Sequence, residues 1–258
     1  MWSKFYSWIK HHDHVVLGRS RCVLCHAVAL GAHALCARCE AALPRIHTAC
    51  MRCGIPLPIS SVCGLCQIRP PPYDRAVAAM EYAAVPRWLI QRFKFHGHLP
   101  YGRVLSGLMV AGLQRDSAPL PELLLPVPLH PARWRTRGFN QAEELARDIG
   151  RALDIPVAGD MLARVVATRD QAGLAARERR RNVKSAFALQ RPLSAQSVAI
   201  IDDVMTTGST VGALAQVLRT AGVEHIRVWV AARAVLGQTA PSTRRRENDH
   251  DTAWLWLS

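Results

Sequence analysis

Eight cysteines, all between Cys22 and Cys66, fall into four C-x2-C pairs: Cys22/Cys25, Cys36/Cys39, Cys50/Cys53 and Cys63/Cys66. The intervals between successive pairs are 10, 10 and 9 residues, so the segment is a repeat. A C-x2-C turn aims two sulfurs at one tetrahedral centre, and two such turns complete a four-cysteine shell of the kind that holds structural Zn2+. Gly54 and Gly64 suit the tight backbone these turns need. Sequential pairing gives two adjacent ribbons; spacing alone leaves an interleaved cross-brace open. Four disulfides would need an oxidising compartment. The even spacing is unlike iron–sulfur cluster runs, and a redox dithiol would use one pair only. The expectation is two closed, structural Zn2+ sites within residues 21–68, with His26 and His33 outside them as surface histidines.

The chain carries a formal charge of +14, from 33 Lys and Arg against 19 Asp and Glu. Eight thiolates around two Zn2+ would bring it to about +10, still strongly basic. Such a surface attracts phosphates, whether on a small ligand or on nucleic acid. Half of the 258 residues are apolar, enough for a sizeable α/β core. No run of about 18 apolar residues occurs, so no membrane insertion is expected. Residues 1–14 lack the continuous apolar core of a secretion signal, and the cytoplasm is the expected compartment.

The second informative segment lies far from the cysteines. Val198 to Ile201 is a continuous apolar run, as expected of a strand buried on both faces. Asp202 and Asp203 end that run, Thr206, Thr207, Gly208, Ser209 and Thr210 follow, and Val211 to Thr220 reads as a helix. A strand, a short loop and a helix N-terminus gather backbone N–H groups and hydroxyls into a site for a phosphate dianion. Gly208 lets the backbone come close to the anion. The two carboxylates stand where they can accept hydrogen bonds from the vicinal hydroxyls of a ribose. The loop has no Lys of the G-x-x-x-x-G-K-[ST] kind, which argues against nucleoside-triphosphate hydrolysis.

The run Ile201-Asp202-Asp203-Val204-Met205-Thr206-Thr207-Gly208 resembles the phosphoribosyl-diphosphate motif of type I phosphoribosyltransferases. Taken with the cysteine-rich start and with Arg137-Gly138-Phe139-Asn140-Gln141, the chain resembles the ComF family over residues 21–233. Arg92 to Gly97, Val127 to Gln141, Thr168 to Gln171, Arg179 to Asn182 and Phe187 agree with it. The resemblance implies an α/β fold: a type I phosphoribosyltransferase-like parallel sheet with flanking helices, preceded by a small four-cysteine zinc-ribbon module. It implies phosphoribosyl diphosphate or a related ribose phosphate as ligand, with Mg2+. Asp202 and Asp203 would then hold the ribose hydroxyls, and Thr206 to Thr210 the 5′-phosphate. The loop Val127, Pro128, Leu129, His130 would cradle the diphosphate.

Between these landmarks the chain divides into a tail over 1–20, the ribbons over 21–68, the phosphoribosyltransferase-like domain over 69–235 and a basic tail over 236–258. Pro70, Pro71 and Pro72 form a stiff linker. Ala76–Tyr82 and Leu123–Pro128 read as strands, and Pro86–Phe95 as a helix whose Lys94 either faces the ligand or, the favoured reading, decorates its outer face. Glu224–Arg233 reads as the last strand. Arg133, Arg135 and Arg137 bring three guanidinium forks close to the 127–130 loop, and Asn140 and Gln141 begin a helix. Thr168 to Lys184 carries six basic residues, and its place matches the hood of type I enzymes. Two functions lead, ahead of a weaker third in which the ribbons act as an adaptor that docks another protein. One is transfer of a phosphoribosyl group with loss of pyrophosphate. The other is a non-catalytic protein that handles single-stranded DNA and uses the ribose-phosphate site as a ligand sensor, the competence resemblance also implying docking to DNA-uptake machinery.

Overall fold

The computed structural model describes residues 15–16, 19–30, 33–96, 99–129, 131–165 and 186–235. The described residues form two compact units, one ending at Leu43 and one spanning Pro44–Val235. In the first, β1 (Val15–Val16), β2 (Arg19–Arg21) and β3 (Val28–Ala29) make an antiparallel meander, followed by the short helix α1 (Ala37–Ala41).

The second unit is α/β. After the short helix α2 (Gly64–Ile68) come strand β4 (Arg75–Glu81), helices α3 (Ala84–His96) and α4 (Leu99–Leu113), and strand β5 (Leu123–Pro126). Helices α5 (Pro131–Arg137) and α6 (Gln141–Leu153) precede the small antiparallel pair β6 (Leu162–Arg164) and β7 (Phe187–Leu189). Strand β8 (Ser197–Met205), helix α7 (Ser209–Thr220) and strand β9 (His225–Arg233) complete it. The main sheet has the order β4-β9-β8-β5 and every pairing in it is parallel. This is the α/β parallel sheet with flanking helices that the sequence leads one to expect.

Both faces of the sheet are covered, which is why its central strands read as unbroken apolar runs. On one face Val198, Ile200, Ile226, Val228 and Val230 share a buried cluster with Val211, Leu214 and Leu218 of α7. Their neighbours Ala199, Ile201, Trp229 and Ala231 point the other way and are equally buried. Helices α4 and α6 pack on each other and supply that second layer. Leu105 and Leu108 of α4 and Leu145 and Ile149 of α6 are fully enclosed.

Three differences from the sequence reading bear on the site. The strand carrying the acids does not stop at Ile201, because parallel pairing with β9 continues to Met205↔Arg233; Asp202 and Asp203 therefore lie within the strand. Arg133, Arg135 and Arg137 sit on a helix, α5, where the sequence names no element. Helix α4 had no sequence signal, since Pro100 and three glycines (Gly102, Gly107, Gly112) dilute its pattern.

The second cysteine pair-of-pairs is built into this core. Cys50, Cys53 and Cys66 belong to the same buried cluster as Val228, Val230 and α7. The chain leading to them runs antiparallel to the edge strand β4, with Glu81 N–H donating to Pro44 O (2.9 Å) and Ile46 N–H to Ala79 O (3.2 Å). Gly54, just past Cys53, has φ +67°, and a Cβ there would meet the Ala76 carbonyl oxygen at 3.0 Å. Gly54→Ala should therefore lower the unfolding free energy by about 1–3 kcal/mol, from left-handed strain and the backbone contact. Urea titration of the zinc-loaded variant measures it; an unchanged midpoint would mean the turn relaxes freely.

Candidate metal centres and anion-binding cavity

The eight cysteine sulfurs gather into two groups, Cys22/Cys25/Cys36/Cys39 and Cys50/Cys53/Cys63/Cys66, each with its sulfurs within 4.8 Å of one another. The pairing is sequential. Cys25 and Cys36 sulfurs are 3.5 Å apart and Cys53 and Cys63 sulfurs 3.8 Å, against about 3.8 Å for the edge of a tetrahedron with 2.3 Å Zn–S bonds. Backbone N–H groups of Cys53 and Cys63 donate to Cys50 Sγ at 3.5 and 3.3 Å. Burial opposes ionisation of Cys50, but N–H groups of Cys63, Cys53 and Arg52 prevail and bring its thiol down to about 6. Cys22 is lowered in the same way, to about 7, with the Cys36, Cys25 and Leu24 amides acting against burial. Burial and the neighbouring sulfurs push Cys39 and Cys66 strongly up. Both donor sets fit structural Zn2+, with all four positions filled by sulfur.

At the carboxyl ends of β5 and β8 lies a cavity of about 330 Å3. Its walls include Val127, Pro128 and Leu129 from the exit of β5, Asp202 and Asp203 from β8, and Thr206 and Thr210 from the following loop. Arg133 and Arg137 of α5 and Arg164 of β6 add guanidiniums. Thr207, Gly208 and Ser209 complete the loop between two wall residues. Thr207 Oγ1 accepts from Ser209 N–H at 3.3 Å and lies 2.7 Å from Ser209 Oγ. Gly208 is the N-cap of α7 in the left-handed conformation, φ 75°. The first-turn amides of α7 have no carbonyl one turn back to receive them. His130, the basic segment Thr168–Lys184 and both chain tails (1–14 and 236–258) lie outside the described residues.

Lys94 stands in the cavity wall rather than on an outer face: its Nζ lies 2.5 Å from Asp203 Oδ2. Burial alone would push the ammonium down, and Asp203 overrides it and raises it. Burial, then the adjacent Asp203 charge, raise Asp202 well above the carboxylate range despite Lys94. Among the wall residues Lys94, Arg133, Arg137 and Arg164 outnumber the two carboxylates by two charges, a balance suited to a polyphosphate.

Asn140 and Gln141 show why the turn before α6 is built as it is. Asn140 Oδ1 caps the helix by accepting from Ala142 N–H (3.1 Å), and its Nδ2 donates to Val127 O (3.0 Å), pinning the β5 exit loop. Gln141 Oε1 accepts from Arg137 Nη1 at 3.2 Å. Its Nε2 is buried without a hydrogen-bond partner at the cavity wall. Arg164 lies over the Phe187 ring, 5.5 Å from its centroid. The sequence reading did not mark Lys94, Gln141 or Arg164 as site residues. Gln141 carried a usable signal, the polar pair Asn-Gln opening a helix next to the arginines, and Lys94 an ambiguous one; Arg164 carried none.

Comparison with known proteins agrees with this architecture. The double zinc ribbon domain matches residues 14–67. Competence protein F of Haemophilus influenzae is 41% identical over 180 residues, covering 67% of this chain and 78% of that protein. The chain belongs to the ComF family. DNA utilization protein YhgH of Escherichia coli K12 is 36% identical over 177 residues (67% of this chain, 78% of that protein). The ComF-family likeness extends to competence protein ComFC of Streptococcus pneumoniae, 23% identical over 159 residues (60% and 67%). Among the described residues, no helix is long and apolar enough to cross a membrane.

Two outcomes follow for this ComF-family chain. Metal analysis should return close to two zinc ions, and Cys36→Ser and Cys63→Ser should each lose one. Structural zinc contributes about 10–16 kcal/mol of apparent binding energy, so iron in its place, or a folded metal-free sample, would overturn the assignment. The second concerns Asp202. Its folded carboxyl is held above the unfolded value, so its charge costs stability at neutral pH. That cost fades as pH falls through the raised value to the ordinary carboxylate range. Asp202→Asn should therefore raise the unfolding midpoint of the ligand-free protein at pH 7, with the gain shrinking on acidification. A variant less stable than wild type at pH 7 would contradict this.

Proposed function

We propose that the cavity binds phosphoribosyl diphosphate with Mg2+ and that the protein acts as a phosphoribosyltransferase. One observation carries the reading: adjacent carboxylates, a hydroxyl-rich loop at a helix N-terminus and a second strand exit ringed by arginines share one cavity. Asp202 and Asp203 accept from the ribose 2- and 3-hydroxyls. Thr206 to Thr210 receive the 5′-phosphate on first-turn amides and hydroxyls. The diphosphate lies against Val127 to Leu129, where Arg137 and Arg133 offset its charge. Lys94 holds Asp203 in place through their ion pair. Mg2+, when bound, neutralises the diphosphate oxygens, a role for which one or two carboxylates and substrate phosphates suffice as its ligands. In the reaction the ribose C1–oxygen bond to the diphosphate breaks, pyrophosphate leaves with the bonding pair, and an incoming nucleophile bonds C1.

Calorimetric titration with phosphoribosyl diphosphate and Mg2+ tests this. Asp203→Asn weakens a charge-assisted hydrogen bond of about 1.5–3 kcal/mol, so affinity should drop about tenfold or more. Gly208→Val should fall further, because its φ of 75° excludes a β-branched residue and a Cβ there comes within 3.4 Å of the Tyr73 hydroxyl. No heat with wild type, or variants that bind like it, would reduce the loop to a helix cap. Release of pyrophosphate across a panel of nucleobases then tests transfer.

A second reading draws on the formal charge of +14 and on relatives named for competence and DNA utilization. Here the protein handles single-stranded DNA and the ribose-phosphate site senses a nucleotide. Binding should weaken with salt at a slope of about −0.7 per phosphate neutralised. Salt-independent binding, or none at low salt, would exclude it.

A further inference from the structure

Arg233 ends β9 and is only 5% exposed, the most enclosed arginine among the described residues. Its guanidinium donates to backbone carbonyls on both sides of it. Nε reaches Cys53 O at 3.0 Å, inside the second cysteine knuckle. Nη1 reaches Met205 O at 3.0 Å, Ala234 O at 2.8 Å and also Thr206 O, where the phosphate loop begins. One rigid fork thus spans from a metal-site carbonyl to the loop. Tyr73 makes a parallel link. It is buried in the same cluster as Cys50, Cys53 and Cys66, and its hydroxyl stands 3.4 Å from where a Gly208 Cβ would be.

The knuckle keeps its shape only while four sulfurs converge. Cys53 N–H points at Cys50 Sγ, and Gly54 N–H donates to Cys50 O at 2.9 Å. Without a cation nothing draws the four sulfurs together, and the Cys53 carbonyl, part of that turn, is no longer fixed in place. Arg233 would then keep only its loop-side acceptors, or would follow the knuckle and pull on them.

We propose that the second four-cysteine centre is the foot of the phosphate loop, with Arg233, seconded by Tyr73, as the positioning residue that couples zinc at Cys50/Cys53/Cys63/Cys66 to the geometry of residues 205–209. The consequence for affinity rests on the phosphoribosyl-diphosphate reading; the consequence for loop order does not.

The test uses the full chain carrying both zincs. Amide exchange at residues 205–210 and calorimetry with phosphoribosyl diphosphate and Mg2+ are compared for wild type, Arg233→Lys, Tyr73→Phe, Cys63→Ser and Cys36→Ser. Cys63→Ser and Arg233→Lys should each speed loop exchange and weaken the ligand by about tenfold, and Tyr73→Phe by less. Cys36→Ser should also lose one zinc yet leave both readouts at wild-type values. Coupling is reciprocal, so the ligand should slow release of one zinc from wild type to a chromogenic chelator about tenfold. Unchanged loop exchange in Cys63→Ser and Arg233→Lys would overturn the proposal. Should either variant exchange fast throughout β9, and so be unfolded, the zinc-release rate and Tyr73→Phe decide: no effect in either overturns it. A wild type that gives no heat condemns the ligand reading, while the exchange comparison still judges the strut.

Discussion

Parallel pairing between β8 and β9 runs from Ser197↔His225 to Met205↔Arg233, and what happens at its far end governs the rest of the molecule. A parallel sheet needs cover on both faces, so its strands are apolar until they emerge at the carboxyl edge. There the same two strands change character, from Ile200 and Val228 in the core to Asp203 and Arg233 at the rim. Ligand sites in open α/β sheets gather at this edge because only there do strand ends, loops and helix N-termini face one crevice. Helix α7 starts immediately after β8, and α6 starts after the β5 exit, so two helix beginnings and two strand ends converge.

Charge in this crevice is arranged by geometry rather than by numbers alone. Asp202 and Asp203 are neighbours in sequence, yet their environments separate them. Asp203 has Lys94 at 2.5 Å. Asp202 bears burial and its neighbour's charge, with Lys94 and the Asp203 N–H (2.9 Å to Oδ1) as partial relief. Around them the guanidiniums of Arg133, Arg137 and Arg164 keep the wall positive. Arg164 bears part of the desolvation cost of that arrangement: burial, then Arg133, lower its proton affinity. An anion entering the cavity would relieve the arginines, and hydroxyl donors facing the acids would relieve the carboxylates.

Much of this was legible in the sequence, for reasons that can be named. C-x2-C repeats and an apolar run followed by acids and a Thr/Ser/Gly loop are local signals, and both describe contiguous backbone. The cysteine pairing was not legible, because sequential and interleaved shells share one spacing. The sequence leaves Lys94 undecided between ligand and surface because Arg92-Phe-Lys-Phe reads as an ordinary amphipathic turn; only the packing of α3 shows which side meets Asp203. Helix α4, with Pro100 and three glycines, has no amphipathic stripe because it is enclosed by α6 and the sheet. Arg233 was read simply as the end of a strand. Its partner Cys53 lies 180 residues away, a distance over which pattern reasoning has no purchase.

The features that resist explanation by stability converge on one place. A carboxyl raised by burial, a half-buried lysine committed to an acid, a glutamine Nε2 enclosed without a partner and a helix capped by a left-handed glycine all stand around the cavity. Each is a choice that a chain selected for stability alone would avoid, since unpaired buried donors and crowded carboxylates cost free energy. Elsewhere the same unit follows the ordinary rules. Its sheet is sealed by leucine and isoleucine, and Asp74 pairs with Arg219 at 2.6 Å. Local violations clustered against a background of consistency are the physical mark of a site kept for something it binds. The second cysteine centre adjoins that site through Arg233 and the shared core, and a metal held there would draw its free energy from metal–sulfur bonds rather than from the packing that the cavity's polar groups weaken.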